Sequence, residues 1–199
     1  YILETHAHAD HLSAANLLKE KYESAKVAIG ENIIKVQDTF SKIYGLEEFD
    51  TTGSQFDYLL SDGEVLLLGD NKIEIINTPG HTPACVSFLV DEKVFTGDAL
   101  FMPDSGTGRC DFPGGSAEDL YNSVHGKLYK LDEEVEVYTG HDYQPNGREL
   151  KYVSSIGKNK RENIHLRSET TKEEFVKFRK SRDSELSAPK LLKIGRAHV

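Results

Sequence analysis

Hydrophobic residues recur at helical spacing in two segments near the start of the chain. The first segment follows Ser13, a residue that can cap a helix, and predicts a helix to about Glu23 with a stripe of Ala14, Leu17, Leu18 and Tyr22. The second predicts a helix that ends near Gly45, with a stripe of Ile33, Val36, Phe40, Ile43 and Tyr44. Lys26 to Ile29 is typical of a short strand between them. This alternation indicates the α/β class.

Short apolar runs separated by turn residues occupy the middle of the chain. They predict strands at Glu64 to Leu68, Lys72 to Asn77, Val86 to Val90 and Lys93 to Thr96. The intervening turns are Asp62-Gly63, Gly69-Asp70-Asn71 and Asp91-Glu92. Closely spaced strands of this kind favour an antiparallel meander.

The second half returns to helical spacing. Ser116 precedes a predicted helix whose apolar positions are Leu120, Val124, Leu128 and Leu131. A strand from Val135 to Tyr138 follows, then helices near Glu149 to Glu162 and from Thr171, where Glu174 has the spacing of a capping box. Helices on both sides of the sheets predict an αββα sandwich, formed by one domain over residues 1–193.

We expect neither end of the chain to be that of a complete natural protein. Tyr1 is not an initiator Met, and Tyr1 to Leu3 is typical of the end of a strand, so we expect the fold to be truncated at its N-terminus. The tail Ile194 to Val199 matches what a sequencing-adapter sequence would encode, and we expect it to be an artefact outside the domain.

Composition narrows the function classes. The chain has 199 residues, of which 38% are hydrophobic and 29% charged, as in a globular domain. It contains no apolar run of the roughly 20 residues that span a membrane. Its formal net charge of −9 argues against nucleic acid as a partner. Its two cysteines, Cys85 and Cys110, are too few for a disulfide framework, which favours the cytoplasm.

A dense group of metal-ligating residues lies near the N-terminus. His6, His8, Asp10 and His11 fall within six residues, and the small residue Ala7 allows both neighbouring imidazoles to face one point. Imidazole and carboxylate suit zinc, iron and manganese alike. The segment predicts a metal site.

Three further candidate ligands stand beside glycine at predicted strand ends. They are His81 in Pro-Gly-His-Thr, Asp98 in Thr-Gly-Asp and His141 in Gly-His-Asp. Glycine lets the backbone turn a neighbouring side chain inward. Taken with the first group, these residues form a ligand set.

The order of these motifs resembles the metallo-β-lactamase superfamily from the first residues to His141. More narrowly, the motifs and the segment Gly108-Arg109-Cys110-Asp111-Phe112 resemble the persulfide dioxygenase branch, also called sulfur dioxygenase or β-lactamase hydrolase-like proteins. The segments Arg109 to Gly115 and Ala188 to Leu191 are most similar to the bacterial hydrolase-like members. Some of those are fused to rhodanese or sulfide-oxidising modules.

The resemblance implies a function. In that branch one ferrous ion is held by the residues that correspond to His6, His81 and Asp98. Two histidines and a carboxylate leave positions open for O₂ and a substrate sulfur. The implied reaction converts glutathione persulfide, O₂ and water to sulfite and glutathione. A homo-oligomer and a rhodanese-like or sulfide-oxidising partner are further expectations.

The ligands leave an alternative open, because a second metal has a full set. In a dinuclear zinc hydrolase of the glyoxalase II type, Asp98 would bridge two zinc ions. One ion would be held by His6, His8 and His81, the other by Asp10, His11 and His141. In the dioxygenase, His8, Asp10, His11 and His141 would instead orient the ligands through hydrogen bonds. A non-catalytic metal-binding module is the third alternative. The Gly-Arg-Cys-Asp-Phe segment and the short C-terminal part favour the dioxygenase.

Residues around the ligands are candidates for other roles. Arg109 can grip a glutathione carboxylate, or form an ion pair with Asp111 or Asp104. Tyr143 can hydrogen-bond near the metal or the substrate, or pack as a core residue.

Both cysteines and Asp142 also have alternatives. Cys110, beside Arg109, is a candidate reactive thiol, the alternative being a thiol that packs the loop. We expect Cys85 to be buried and unreactive, and Asp142 to hold its loop.

Overall fold

The structure is a computed structural model that describes residues 1–8, 10, 11 and 13–187. The late Ala188 to Leu191 segment and the tail Ile194 to Val199 therefore lie outside the described residues. The described residues form five α-helices and nine strands: β1 Ile2–Leu3, α1 Ala15–Lys21, β2 Val27–Gly30, α2 Ile33–Tyr44, β3 Tyr58–Leu60, β4 Val65–Leu68, β5 Asn71–Asn77, β6 Val86–Val90, β7 Lys93–Phe95, α3 Ala117–Gly126, β8 Glu136–Tyr138, β9 Val153–Ser155, α4 Ile156–Glu162 and α5 Lys172–Ser184.

The first sheet has three parallel strands in the order β1-β2-β3. All four residues of β2 are buried, as expected for a central strand covered on both faces. Helix α1 connects β1 to β2, and α2 lies between β2 and β3 in the chain. Ile33 and Val36 of α2 pack on Ile29 of β2, so α2 covers the outer face of this sheet.

The second sheet has six strands in chain order, β4-β5-β6-β7-β8-β9. The pairs from β4 to β7 are antiparallel, which confirms the predicted meander. Strand β8 is parallel to β7 because α3 carries the chain across between them. The four strands of the meander match the predicted positions to within one residue at each end.

Two cores hold the layers together. Ala28 and Leu60 of the first sheet pack against Leu66, Ile75 and Phe88 of the second, which places the sheets face to face. On the other side of the second sheet, residues of α3, α4 and α5 pack against β7 and β8 through Leu120, Val124, Ile156, Phe175, Val94 and Val137. Helices therefore flank both sheets, and the α/β αββα sandwich is confirmed.

Two predicted helix boundaries were wrong. The helix predicted over Glu149 to Glu162 is a strand, β9, followed by α4. Strand β9 pairs with β8, and the Ser155 hydroxyl accepts the Lys158 N–H, which starts α4 only after the strand. Likewise α1 begins at Ala15 and not directly after Ser13, with Ala14 at the N-cap; the Ser13 hydroxyl donates to Glu4 and accepts the Ala15 N–H.

Helix α5 begins as the sequence predicts. The Thr171 hydroxyl accepts the Glu174 N–H, and the Glu174 carboxylate accepts the Thr171 N–H. This reciprocal capping box fixes the first turn of the helix. Within the described part of the chain, no helix combines the length and apolarity that crossing a membrane requires.

Candidate metal centre

The seven candidate ligands lie in loops that meet at one edge of the two sheets. β1 leads to the loop that carries His6, His8, Asp10 and His11. His81 lies in the turn between β5 and β6, Asp98 follows β7, and His141 follows β8. Separate strand ends thus deliver side chains that are far apart in sequence to one place.

Three histidines form the inner group, which consists of His6, His8 and His81. One ring nitrogen from each lies within 4.8 Å of the other two. His8 Nδ1 and His81 Nε2 are 2.8 Å apart, and the His6 and His81 ring centroids are 5.0 Å apart, with the rings nearly perpendicular. Nitrogen lone pairs that converge in this way surround a point that suits a cation.

Asp98 lies between this inner group and the outer ligands. Its Oδ2 atom is 3.5 Å from His81 Nε2, 4.0 Å from His6 Nε2 and 3.4 Å from His141 Nε2. Its Oδ1 atom is 3.5 Å from His11 Nε2. The carboxylate is positioned both to complete a set with His6 and His81 and to bridge to a second group.

Asp10, His11 and His141 form the outer group. His11 Nε2 and His141 Nε2 are 3.0 Å apart, and Asp10 Oδ2 is 3.4 Å from His141 Nε2. Their ligand atoms also fall within 4.8 Å of one another. This group is more exposed than the inner one, since Asp10 lies at the surface.

Hydrogen bonds on the far side of the rings fix their orientation. His81 Nδ1 donates to the Arg109 carbonyl at 2.6 Å, which leaves the lone pair on Nε2 facing Asp98. His6 Nδ1 is 3.1 Å from the Thr5 hydroxyl. Both rings therefore present Nε2 to the centre.

Burial and charge set the protonation that a metal requires. Burial lowers the pKa of His6 and of His81, and it lowers the pKa of His8 to about 3. Burial opposes the charge of Asp98, but His11 and the other imidazoles around the carboxylate outweigh the burial and lower the carboxyl pKa. Neutral imidazoles beside an ionised carboxylate are the forms that bind metal.

One unsatisfied atom tests whether a metal fits. His6 Nε2 is buried, and no hydrogen-bond partner for it exists among the described residues. A buried polar atom without a partner is costly unless something coordinates it. A cation among His6, His81 and Asp98 satisfies this atom, so the residues fit a metal ion.

Two glycines let the backbone approach the ligands. A Cβ atom at Gly140 would lie 2.6 Å from Asp98 Oδ1, and one at Gly108 would lie 2.2 Å from the Asp98 carbonyl oxygen. Real Cβ atoms essentially never come so close, so a side chain at Gly108 would have to displace backbone and one at Gly140 would have to displace the Asp98 carboxylate. The glycines are thus required for space, not for backbone conformation.

A family model described as the metallo-beta-lactamase superfamily matches residues 1–141, the part that contains all seven ligands. The chain belongs to the metallo-beta-lactamase superfamily. Over 96% of its length it is 51% identical to "Glyoxylase B2" of Dictyostelium discoideum and 46% identical to a "Beta-lactamase hydrolase-like protein" of Xylella fastidiosa. The chain spans 66% and 44% of those two proteins.

Relatives named as persulfide dioxygenases are more distant. The chain is 35% identical to "Persulfide dioxygenase ETHE1, mitochondrial" of Bos taurus over 72% of this chain and 49% of that protein. Among solved structures, ETHE1 from Myxococcus xanthus superposes with a TM-score of 0.77 and 32% identity, covering 96% of this chain and 72% of that one. The predicted resemblance to this part of the metallo-beta-lactamase superfamily is confirmed.

In this superfamily member, the Gly108 to Phe112 segment lies directly against the inner histidines. The Phe112 ring contacts the His8 ring with a centroid distance of 4.4 Å and the His81 ring at 5.8 Å. Arg109 donates through Nε and Nη2 to both oxygens of Asp111, and its guanidinium lies 5.1 Å from the Phe112 ring centroid. The ion pair with Asp111, one of the two alternatives for Arg109, is the arrangement present here.

Cys110, the candidate reactive thiol, is a buried residue of this segment. The residue is 8% exposed, and burial raises its pKa, with Asp183 adding to the effect. The Arg109 side chain turns to Asp111 instead of stabilising a thiolate. The structure favours the alternative of a thiol that packs the loop. Burial likewise raises the pKa of Cys85 to about 12.

The loop that carries His141 is held by a charged cluster. Arg148 binds both oxygens of Asp142, at 2.6 and 2.7 Å, and also pairs with Asp104. Hydrogen bonds from Arg148 lower the pKa of Asp142 to about 2. Asp142 thus holds the loop, whereas Tyr143 is 65% exposed and stacks on the His141 ring at the rim of the site.

Several residues near the site were not singled out from the sequence. Phe101 lies behind His141, Arg148 holds the loop, and Asp183 reaches the Cys110 backbone from α5. The Phe101 and Arg148 positions carry no metal-ligand pattern. The contact between Asp183 and Cys110 joins residues 73 positions apart, and a contact of that kind leaves no periodic signal in the sequence.

Proposed function

We propose that the chain is the catalytic part of a mononuclear iron persulfide dioxygenase. The observation that carries the proposal is the contact of the Gly108 to Phe112 segment with the inner histidines. The Arg109 carbonyl orients His81, and the Phe112 ring covers His8. The segment on which the resemblance rests is therefore part of the metal centre itself.

His6, His81 and Asp98 would hold the iron. When bound, ferrous iron supplies the O₂ chemistry that zinc, which has no redox activity, does not. Two neutral imidazoles and one carboxylate leave positions open on one side. His11 and His141 then contact the Asp98 carboxylate and keep it ionised and in place, and Asp10 in turn contacts His141.

The substrate would be a persulfide of a small thiol such as glutathione. Arg109, at the mouth of the site, is the candidate for a carboxylate of the carrier, and exchanging its Asp111 partner for that carboxylate keeps the guanidinium paired. The exposed Tyr143 hydroxyl is the candidate for a second contact. Phe112 and Phe101 give the centre apolar walls, which limit the access of water.

The overall reaction balances without a further reductant. The terminal sulfur of glutathione persulfide is oxidised to sulfite, O₂ is reduced, and water supplies the third oxygen. The sulfur–sulfur bond breaks, and its other sulfur leaves as glutathione. A cytoplasmic setting, a homo-oligomer and a rhodanese-like partner that supplies the persulfide belong to the same proposal.

The test is stoichiometry in the iron-loaded chain. We expect O₂ uptake and sulfite formation in equal amounts with glutathione persulfide, and loss of both in His6→Ala and Asp98→Ala. The matched control is His125→Ala, because His125 lies on α3 away from the ligands. Full activity in either ligand variant contradicts the proposal.

The second candidate is a dinuclear zinc thioester hydrolase. It is favoured by the complete outer group Asp10, His11 and His141 and by the position of Asp98 between the two groups. The 51% identical relative carries the name "Glyoxylase B2". Metal analysis after anaerobic purification separates the candidates: one iron per chain favours the dioxygenase, and two zinc ions with hydrolysis of lactoylglutathione favour the hydrolase.

A further inference from the structure

Helix α5 contains an ion pair that is buried instead of facing solvent. Arg179 is 2% exposed and Asp183 is 4% exposed, and Arg179 Nη2 lies 2.7 Å from Asp183 Oδ1. By contrast, Lys180 of the same helix pairs with Glu118 at the surface. Burying two charges is costly, so a buried pair indicates a role beyond helix stability.

The pair faces the backbone of the loop that lies against the inner histidines. Asp183 Oδ2 accepts the Cys110 N–H at 2.8 Å. Arg179 Nη1 donates to the carbonyl oxygens of Thr107 and Gly108, at 3.3 and 3.4 Å. One helix therefore holds consecutive peptide groups of this loop through charged side chains.

The peptide group between Arg109 and Cys110 connects this pair to a ligand. Its N–H donates to Asp183, and its carbonyl accepts the N–H of His81 Nδ1 at 2.6 Å. On the other side of the ring, His81 Nε2 faces Asp98. A continuous chain of hydrogen bonds thus runs from the Asp183 carboxylate through one peptide group to His81.

We propose that Asp183 is a positioning residue for His81, acting through the Arg109–Cys110 peptide group. A carboxylate that accepts the peptide N–H polarises the peptide and makes its carbonyl a stronger acceptor. The stronger acceptor holds the proton on His81 Nδ1 and leaves Nε2 free as the ligand atom. Arg179 fixes Asp183 by pairing with it and holds the adjacent carbonyls.

This inference rests on the proposed function only in that His81 binds metal; it does not depend on which reaction follows. Deleting one member of a buried ion pair destabilises a protein by leaving the other charge uncompensated. A test therefore has to separate lost stability from lost orientation of His81. Removing both charges together achieves this separation.

The experiment compares two double variants. Arg179→Met with Asp183→Asn removes the charges but keeps an acceptor for the Cys110 N–H, whereas Arg179→Met with Asp183→Leu removes the acceptor too. Asp183→Asn alone changes the fewest atoms and serves if a double variant does not fold, although it leaves the Arg179 charge uncompensated. Lys180→Met, which removes the surface pair of the same helix, is the matched control.

Two readouts are measured on each folded variant: the Zn²⁺ dissociation constant by chelator competition, and the NMR resonance of the His81 Nδ1–H proton in the metal-free protein. We expect the Leu variant to bind Zn²⁺ about tenfold more weakly. This is the lower end of the range of losses for residues that hydrogen-bond to metal ligands. The Asn variants should fall between it and the wild type. The His81 resonance should move upfield in the same order, and the Lys180 variant should change neither readout.

Unchanged zinc affinity and an unchanged His81 resonance in a folded Asp183 variant would overturn the inference. The inference is also overturned if the variants bind Zn²⁺ more weakly only in proportion to their lost stability, while the His81 Nδ1–H resonance is unchanged. If the wild-type chain binds no metal, the proposed function fails instead, and the resonance of the metal-free protein still tests the hydrogen-bond chain.

Discussion

Asp98 is the side chain at which the inner and outer ligand groups meet. Both of its oxygens face imidazole nitrogens, so its charge would contribute to binding either a single metal ion or a bridged pair of ions. Asp98→Asn keeps the shape of the side chain but removes that charge. We expect metal affinity to fall by more than about 100-fold, because loss of a ligand should exceed the largest loss caused by residues that only hydrogen-bond to ligands. Chelator competition measures it.

The matched control for that variant is Asp132→Asn, at an exposed position away from the site. It should bind metal as the wild type does. Equal metal affinity in Asp98→Asn and Asp132→Asn would show that Asp98 is not a ligand.

His165 provides a residue-scale prediction that is independent of the metal. Its Nδ1 atom accepts the Thr107 N–H, and burial, with Arg179 and Arg182 nearby, lowers its pKa to about 4. The unfolded chain has the ordinary pKa of about 6.5, so it binds more protons than the folded chain between these values. Stability is therefore full above pH 6.5 and falls as the pH drops towards 4, by about 3 kcal/mol for this residue.

Urea unfolding between pH 7 and pH 4.5 tests this linkage. His165→Asn keeps an acceptor for the Thr107 N–H but does not titrate, so its free energy of unfolding should depend less on pH than that of the wild type. His125→Asn, at a less buried histidine, should change the dependence less. Identical pH profiles for the wild type and His165→Asn would contradict the pKa direction.

At the scale of elements, the turn after β8 is limited by space. A Cβ atom at Gly140 would meet both Asp98 Oδ1 and the Gly97 carbonyl oxygen, so Gly140→Ala should displace the Asp98 carboxylate. We expect metal binding to weaken about tenfold or more, as it does when the orientation of a ligand is disturbed. Gly126 is the matched control, since a Cβ there meets nothing within 4 Å. Gly126→Ala lies at the end of α3 and should leave metal affinity unchanged while favouring the helix.

Both variants are compared by calorimetric titration with Zn²⁺ and by thermal melts. If Gly140→Ala binds Zn²⁺ as tightly as Gly126→Ala does, the turn yields more readily than the close contacts indicate. The melts show whether any loss of affinity comes from unfolding.

The elements that the sequence predicted well are those with a local signal. The α2 stripe ends at Gly45, which adopts the left-handed conformation expected after a helix, and the Thr171 capping box starts α5. Strand β9 was missed because three residues between turn and helix show no clear alternation, and its pairing with β8 decides its structure. Strand β3 was missed for the same reason, since only its parallel pairing with β2 defines it.

At the scale of the whole molecule, the ligands were predictable and their support was not. Histidines and aspartates at fixed spacing beside glycine mark a metal site in any sequence. The Asp183–Cys110 hydrogen bond instead joins residues 73 positions apart, and Arg148 reaches Asp104 across 44 positions. Such contacts arise from the packing of layers, and no spacing within one segment encodes them.

The edge of the second sheet yields the last prediction. Among the described residues, strand β4 is one of the two edge strands of this sheet, and its Leu67 and Leu68 are 69% and 54% exposed. An edge strand with exposed apolar side chains favours pairing between copies of a chain.

Leu67 lies opposite Lys72 in the register with β5, so Leu67→Glu places a carboxylate beside an ammonium group and keeps the strand pair favourable. Sedimentation velocity should show less self-association for Leu67→Glu than for the wild type, whereas Leu17→Glu, an equally exposed position on α1, should not change it. A wild-type chain that sediments as a monomer at every concentration would contradict the prediction, and with it the expected homo-oligomer through this edge.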